Sequence, residues 1–81
     1  MLISGAQIRA ARALLRWSVR DLARQAVVSI ATVNLIEDAT GLPSTSRAQV
    51  EAVQTTLESM GIEFLNGDTP GVRLRHNKSK R

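Results

Sequence analysis

The order of apolar and polar residues along the chain first predicts a helix near the N-terminus. Ser4 followed three residues later by Gln7 is a capping-box pattern, which starts a helix at Gly5. Apolar residues then recur at helical spacing, and the predicted inward stripe consists of Ile8, Ala11, Leu14 and Leu15. Three basic residues share another face, namely Arg9, Arg12 and Arg16. We therefore expect a first amphipathic helix over residues 5–17.

Two further serines predict the starts of two short helices. Ser18 with Asp21 three residues later is a second capping pattern and predicts a helix over residues 19–26. Ser29 is a third candidate N-cap, and a helix is expected to follow it over residues 29–38. The residues expected to point inward from these two helices and the turn between them are Leu22, Ala23, Ala26, Val28, Val33 and Ile36.

A fourth helix and a hairpin complete the predicted elements. A break rich in glycine, proline and serine leads to Ser46, which with Gln49 starts a helix whose apolar residues are Val50, Val53, Leu57 and Met60. Gly61 stands where a left-handed C-cap is expected. The helical period then stops, residues 62–65 predict a short strand, and apolar residues alternate with basic ones over 72–75, which together predict a β-hairpin. Because an isolated hairpin is marginally stable in water, it has to pack on the helices or pair across a dimer interface.

Length and composition fit one small domain. The chain has 81 residues, which allows one core, and its 43% apolar content is too high for a disordered chain. We expect a helical unit over residues 1–61, a hairpin extension over 62–75 and a disordered basic tail over 76–81. Since Trp17 and Phe64 are the only aromatic residues, the core has to be aliphatic.

The same composition argues against several kinds of chemistry. The chain has no cysteine, which excludes disulfides and thiolate metal sites, and its single histidine, His76, forms no metal-ligand cluster. No glycine-rich phosphate loop or nucleophile–base arrangement is present, so we expect neither an enzyme nor a cofactor. No apolar run reaches the roughly 20 residues of a membrane span, and no signal peptide pattern is present. We therefore expect a cytoplasmic protein.

Charge is unevenly distributed along the chain. The formal net charge is +4, and the sequence pI is about 11.2. Residues 1–24 hold five arginines against one aspartate, residues 25–71 hold one arginine against six carboxylates, and residues 72–81 hold five basic residues. A basic protein of this size favours a polyanionic partner, although residues 25–46 contain no lysine or arginine.

The second and third predicted helices meet the spacing of a helix-turn-helix motif. That motif joins two short helices through a turn of a few residues and needs small or apolar residues where the helices touch. When Val19 is counted as the first position, the inward positions four, five, eight, ten, fifteen and eighteen are Leu22, Ala23, Ala26, Val28, Val33 and Ile36. Each of these residues is small or apolar.

In these and neighbouring residues the chain resembles the Cro and phage-repressor type of helix-turn-helix regulator, the XRE family. The matching segments are Ile8-Arg9-Ala10-Ala11-Arg12, Leu15-Arg16-Trp17-Ser18, Asp21-Leu22-Ala23, Val28-Ser29-Ile30-Ala31-Thr32-Val33 and Ile36-Glu37. The resemblance covers about residues 4–60, and the ending over 61–75 resembles the tail of small bacterial members. It implies an all-α, lambda-repressor-like four-helix domain with a small C-terminal β-hairpin, which acts as a homodimeric repressor or other transcription regulator on a near-palindromic DNA operator.

The resemblance also implies which residues meet double-stranded DNA. The second helix of the motif would lie in the major groove, and its base-facing candidates are Ser29, Ile30, Ala31, Thr32, Asn34 and Leu35. Asparagine can pair with adenine, serine and threonine with bases or phosphates, and isoleucine or alanine with a thymine methyl group. Phosphate contacts are expected from Arg16, Arg20, Arg24 and Arg47, with Arg9 and Arg12 as further candidates. Glu37 is expected to pair with a helix-1 arginine, and Trp17 is expected to anchor the core.

Departures from the family pattern keep a second function open. The family usually has glutamine where this chain has Val19, and glycine in the turn where it has Val27. A β-branched residue is unfavourable at positive φ, so either the turn is distorted or Val27 takes an ordinary β conformation. With Ile30 and Leu35, these valines would form an apolar patch on the face that normally meets DNA. The alternative is therefore a degenerate helix-turn-helix that binds another regulatory protein as an anti-activator or modulator.

Overall fold

A computed structural model of the chain describes residues 3–38 and 47–75. In these ranges it has four helices followed by two strands: α1 (Gly5–Leu15), α2 (Val19–Ala26), α3 (Ile30–Asp38), α4 (Arg47–Ser59), β1 (Ile62–Leu65) and β2 (Gly71–Leu74). The predicted order of elements is confirmed. Helix α1 ends two residues before the predicted end at residue 17. The predicted break at residues 41–46 and the predicted tail at 76–81 lie outside the described residues.

The helix starts follow the capping residues. Ser4 and Ser18 each form a complete capping box, with Gln7 and Asp21 respectively. At the third start, the backbone N–H of Thr32 donates to Ser29 Oγ at 2.9 Å. Ser29 is therefore the N-cap, and α3 begins one residue later than the predicted range. These local hydrogen bonds satisfy backbone groups that a helix cannot satisfy itself.

Two helices end at a left-handed residue that is not glycine. Arg16 follows α1 with φ 60° and ψ 37°, and Val27 follows α2 with φ 59° and ψ 48°. The interpretation that Val27 takes an ordinary β conformation is therefore wrong. The left-handed conformation lets its N–H donate to the carbonyl oxygen of Ala23. The chain reverses direction here in the way that a glycine would allow, despite the β-branched side chain.

The core is aliphatic, as the composition predicts. Its buried members are Ile3, Ile8, Ala11, Leu22, Ala23, Ala26, Val33, Ile36, Val50, Val53, Leu57 and Ile62. One predicted inward residue is wrongly placed, because Leu14 is exposed. Six residues separate it from Ile8, which turns it about 120° away around a helix of 3.6 residues per turn. Leu15, seven residues from Ile8, stays near the buried face and packs partly against the core.

The C-terminal hairpin packs on the helices of its own chain. Its antiparallel register pairs Ile62 with Leu74 and Phe64 with Val72, and β2 begins and ends one residue before the predicted range. Strand β1 contacts α4, and β2 contacts α1. Gly61 has φ +97°, which confirms the expected left-handed cap. Since the helices already cover the hairpin, its stability is no longer an argument for a dimer.

Gln7 joins α1 to the hairpin. Its buried side chain donates from Nε2 to the carbonyl oxygens of Leu65 and Gly71, both at 3.0 Å. The same amide accepts from the backbone N–H of Ser4 through Oε1 at 2.9 Å. The sequence indicates only the capping role, and the structure adds the long-range one. Both polar atoms of this amide, Oε1 and Nε2, are thus used for position rather than left to water.

Gly5 allows α1 to approach the end of α3. A Cβ atom at this position would lie 2.4 Å from the carbonyl oxygen of Glu37 and 2.6 Å from that of Ile36. Both obstacles are backbone atoms, so a side chain could not be accommodated by a change of rotamer. The first turn of α1 is therefore packed directly on the C-terminal turn of α3.

No helix of the described residues is long and apolar enough to cross a membrane.

Candidate functional site

Helix α3 has one buried face and one exposed face. Thr32, Val33, Ile36 and Glu37 are buried. The residues between them share the opposite side at helical spacing, and we call this exposed side the α3 outer face: Ile30, Ala31, Asn34, Leu35 and Asp38. The division is complete, since every residue of α3 belongs to one face or the other. A partner of this helix would meet the outer face.

Four of the six predicted base-facing residues lie on the α3 outer face, namely Ile30, Ala31, Asn34 and Leu35. Thr32 does not, because it is buried and its hydroxyl accepts a hydrogen bond from Ser29 Oγ at 2.8 Å. Its base-facing role stays a prediction, against which its burial and this hydrogen bond weigh. Ser29 is exposed at the start of the helix, and its hydroxyl also holds the N-cap. Both hydroxyl groups therefore form hydrogen bonds within the first turn of α3.

The α3 outer face is largely apolar. Ile30 is 43% exposed and Leu35 54%, and Val27 in the preceding turn is 87% exposed. Val19 does not join this set, because it is half-buried against the core. The polar groups of the outer face are one amide, from Asn34, and one carboxylate. A surface of this kind has no cation with which to hold a phosphate.

Two arginines of α1 hold the end of α3. Arg12 donates from Nε to Glu37 Oε2 at 2.9 Å and from Nη2 to Oε1 at 3.0 Å, which is a bidentate ion pair. This confirms the expected pairing of Glu37 with a helix-1 arginine. The hydrogen bond with Glu37 raises the pKa of Arg12 further above its ordinary value. Arg9 donates to the carbonyl oxygen of Glu37. Arg9 and Arg12 therefore act within the fold, and Arg12 is not available as a phosphate contact.

The four arginines assigned to phosphate contacts are all exposed: Arg16, Arg20, Arg24 and Arg47. Arg16 lies at the end of α1. Arg20 and Arg24 are one turn apart on α2, and Arg24 is 4.0 Å from Asp21. Such an exposed pair contributes little to stability, so the guanidinium group can be redirected at small cost. Arg47 is the first residue of α4.

The junction between α1 and α2 is fixed by Trp17. Its side chain is half-buried and packs against the core, which confirms the expected anchoring role. Its carbonyl oxygen accepts from Arg12 Nη1 at 3.1 Å. Arg12 thus contacts both the α1–α2 junction and, through Glu37, the end of α3.

Two features of the site have no counterpart in the sequence expectations. These are the contact of Gly5 with the α3 backbone and the donation from Arg9 to Glu37. A glycine at the first position of a helix is a faint signal for such an approach.

No protein-family model matches this chain, and none of the curated proteins is significantly similar to it. The site is therefore defined by the geometry of α1, α2 and α3, together with the resemblance in the residues that form them.

Proposed function

We propose that this protein is a cytoplasmic transcription regulator that binds double-stranded DNA through a lambda-repressor-like helix-turn-helix formed by α2 and α3. One observation carries the proposal: two short helices are joined by the three residues 27–29, and the second helix leaves one complete face outside the core. In this arrangement the second helix enters the major groove, and its N-terminal residues reach base edges.

The position of α3 is fixed well enough for it to serve as a reading element. Its buried side packs on α1 and α2, and its C-terminal turn is held by Gly5, Arg9 and Arg12. Its N-terminal turn is held by the Ser29 cap. A helix that is fixed at both ends loses little further freedom on binding, which favours affinity for a rigid groove.

Positioning and reading would come from different residues. The α3 outer face has no cation, so phosphate contacts fall to the exposed arginines of α1, α2 and α4: Arg16, Arg20, Arg24 and Arg47. Phosphate contacts fix register and orientation, whereas contacts to base edges carry the sequence information. We further propose a homodimer on a near-palindromic operator, with half-sites about one helical turn apart. The support for the dimer is the resemblance to the XRE family.

A salt titration of DNA binding tests the proposal. Each phosphate contact contributes about −0.9 to the slope of log K against log salt concentration. We expect Arg20→Ala with Arg24→Ala to make that slope shallower by about 1.8 per protomer and to weaken binding to all sequences alike. Arg73→Ala is the matched control, because Arg73 is exposed but paired with Glu63 on the hairpin. Absence of binding to any duplex at low salt would refute DNA binding.

A second function is supported by the exposed apolar residues. Val27, Ile30 and Leu35 are all exposed, and residues 25–38 contain no lysine or arginine. A contiguous apolar patch is more typical of a protein interface than of a phosphate-binding surface. On this proposal the chain is an anti-activator or modulator that covers another regulator. It predicts no DNA binding at low salt and a stoichiometric complex with one regulator, which Leu35→Asp abolishes.

A further inference from the structure

The composition of the α3 outer face restricts the DNA that it can read. Resting on the proposed function, we infer that the half-site core is a short run of A·T base pairs, recognised through thymine methyl groups and one adenine. Ile30, Ala31 and Leu35 would contact the methyl groups, and Asn34 would pair with the adenine.

The outer face lacks the groups that recognise G·C pairs. Guanine is read in the major groove mainly by arginine or lysine, which donate to O6 and N7. The outer face has neither, and the nearest basic residues before α3 in the sequence are Arg24 and Arg20 of α2. Asp38 can accept from the amino group of cytosine, but it lies eight residues after Ile30. At 1.5 Å per residue it is about 12 Å from the helix start that reaches the bases.

The outer face offers the groups that recognise A·T pairs. In the major groove thymine presents a methyl group, and adenine presents one donor and one acceptor, N6 and N7. The side-chain amide of Asn34 carries both an acceptor and a donor. This amide has no hydrogen bond to another of the described residues. Ile30 and Leu35 are each about half exposed, so burial against a methyl group would remove apolar surface that folding leaves in water.

The spacing of these residues sets the length of the core. Ile30 and Leu35 are five residues apart, or about 7.5 Å along a helix. With about 3.4 Å between successive nucleotides of one strand, this distance corresponds to about two base-pair steps. The four residues can therefore reach about three successive base pairs when the helix follows the groove. Affinity then depends on methyl groups, and not only on the shape that A·T pairs give to the duplex.

Replacement of thymine by deoxyuridine tests this dependence directly. Deoxyuridine keeps the hydrogen-bonding edge of thymine and lacks only the methyl group. The full chain is first used to select duplexes from a random library, and single thymines of the enriched core are then replaced. We expect affinity to fall about fourfold for each contacted methyl group, the value for one buried methylene. The same replacement in the flanking sequence should have no effect.

Protein variants identify the side chains that contact the methyl groups. In Leu35→Ala, the effect of deoxyuridine at one core position should disappear, while Met60→Ala should keep it. Met60 is the matched control because it is 45% exposed, close to the values of Ile30 and Leu35, and lies just beyond α4. Asn34→Ala should remove the preference for adenine at one position. Thermal unfolding should be unchanged in all three variants, because each side chain is exposed.

The outcomes separate this inference from the proposal on which it rests. An A·T core whose affinity depends on methyl groups, with that dependence lost in Leu35→Ala, supports both. A core of G·C pairs, or an A·T core that binds deoxyuridine equally well, overturns the methyl readout while DNA binding stands. No enriched duplex at low salt overturns DNA binding itself, and the methyl readout with it.

Discussion

A substitution to glycine usually destabilises a protein, but in the turn between α2 and α3 we expect one to be stabilising. Val27 is held at φ 59° and ψ 48°, a conformation that β-branched residues rarely adopt. Its side chain is 87% exposed, so it contributes almost no apolar burial. Its N–H donates to the carbonyl oxygen of Ala23, a bond that glycine also makes. We therefore expect Val27→Gly to stabilise the protein.

The size of the effect follows from two opposing terms. The left-handed conformation costs an L-residue about 1–2 kcal/mol, and glycine removes this cost. Glycine also has a larger unfolded-state entropy, which offsets about 0.5–1 kcal/mol. The expected net gain in the free energy of unfolding is about 0.5–1 kcal/mol. For a domain of 60–100 residues this corresponds to an increase in Tm of about 2–8 °C.

Urea denaturation and thermal unfolding of three variants check this reasoning. Val27→Ala keeps a Cβ atom but removes the branch, so its stability should lie between those of the wild type and Val27→Gly. Val28→Gly is the matched control, because the neighbouring residue has no positive φ and packs partly on the core, and it should be destabilising. If Val27→Gly left Tm unchanged or lowered it, the left-handed turn would carry no strain and the argument would be refuted.

Three further predictions concern the contacts around α1 and α2. Gly5→Ala should lower the free energy of unfolding by at least about 2 kcal/mol, measured in urea, because the new Cβ would overlap the backbone of Glu37; a smaller loss would mean that α1 can move away from α3. Glu37→Gln should cost about 2 kcal/mol, since it removes one half of the bidentate pair with partly exposed Arg12, and equal stability of the two proteins would contradict that role. Hydrogen bonds from Ser18 lower the pKa of Asp21, so its contribution to stability is present above the ordinary carboxyl pKa and is lost as pH falls through the lowered value. The difference in Tm between the wild type and Asp21→Asn should therefore shrink from pH 7 to pH 2.5, and a constant difference would argue against the capping role of the carboxylate.

Much of the fold could be predicted from local patterns. Ser4, Ser18 and Ser29 mark helix starts because capping bonds form within three or four residues of the cap, and such contacts are encoded in the sequence itself. The hairpin follows from a change of period after Gly61, whose left-handed conformation ends the helical stretch. These predictions rest on neighbours in the chain, and the structure confirms them.

The features that sequence patterns did not predict depend on distant residues. The resemblance implies a base-facing Thr32, whereas the structure buries this side chain, because the rotation of α3 about its axis is set by its packing on α1 and α2. Leu14 is the exception, because its place beside the buried stripe follows from helical spacing within α1 alone. The conformation of Val27 is imposed by the helices on either side, against its own preference.

The bond from Gln7 to the hairpin also constrains the order in which the protein can be completed during synthesis. Its two acceptors lie 58 and 64 residues later in the chain. At about 5–20 residues per second, the ribosome adds Gly71 roughly 3–13 s after Gln7. During that interval α1 can already be formed, but Gln7 Nε2 still lacks its two carbonyl acceptors. The surface of α1 that β2 later covers is then exposed to water. Helix α1 thus precedes the other described elements in the chain but is among the last of them to reach its final packing, which exposes the unfinished chain to proteases and holding chaperones for longer.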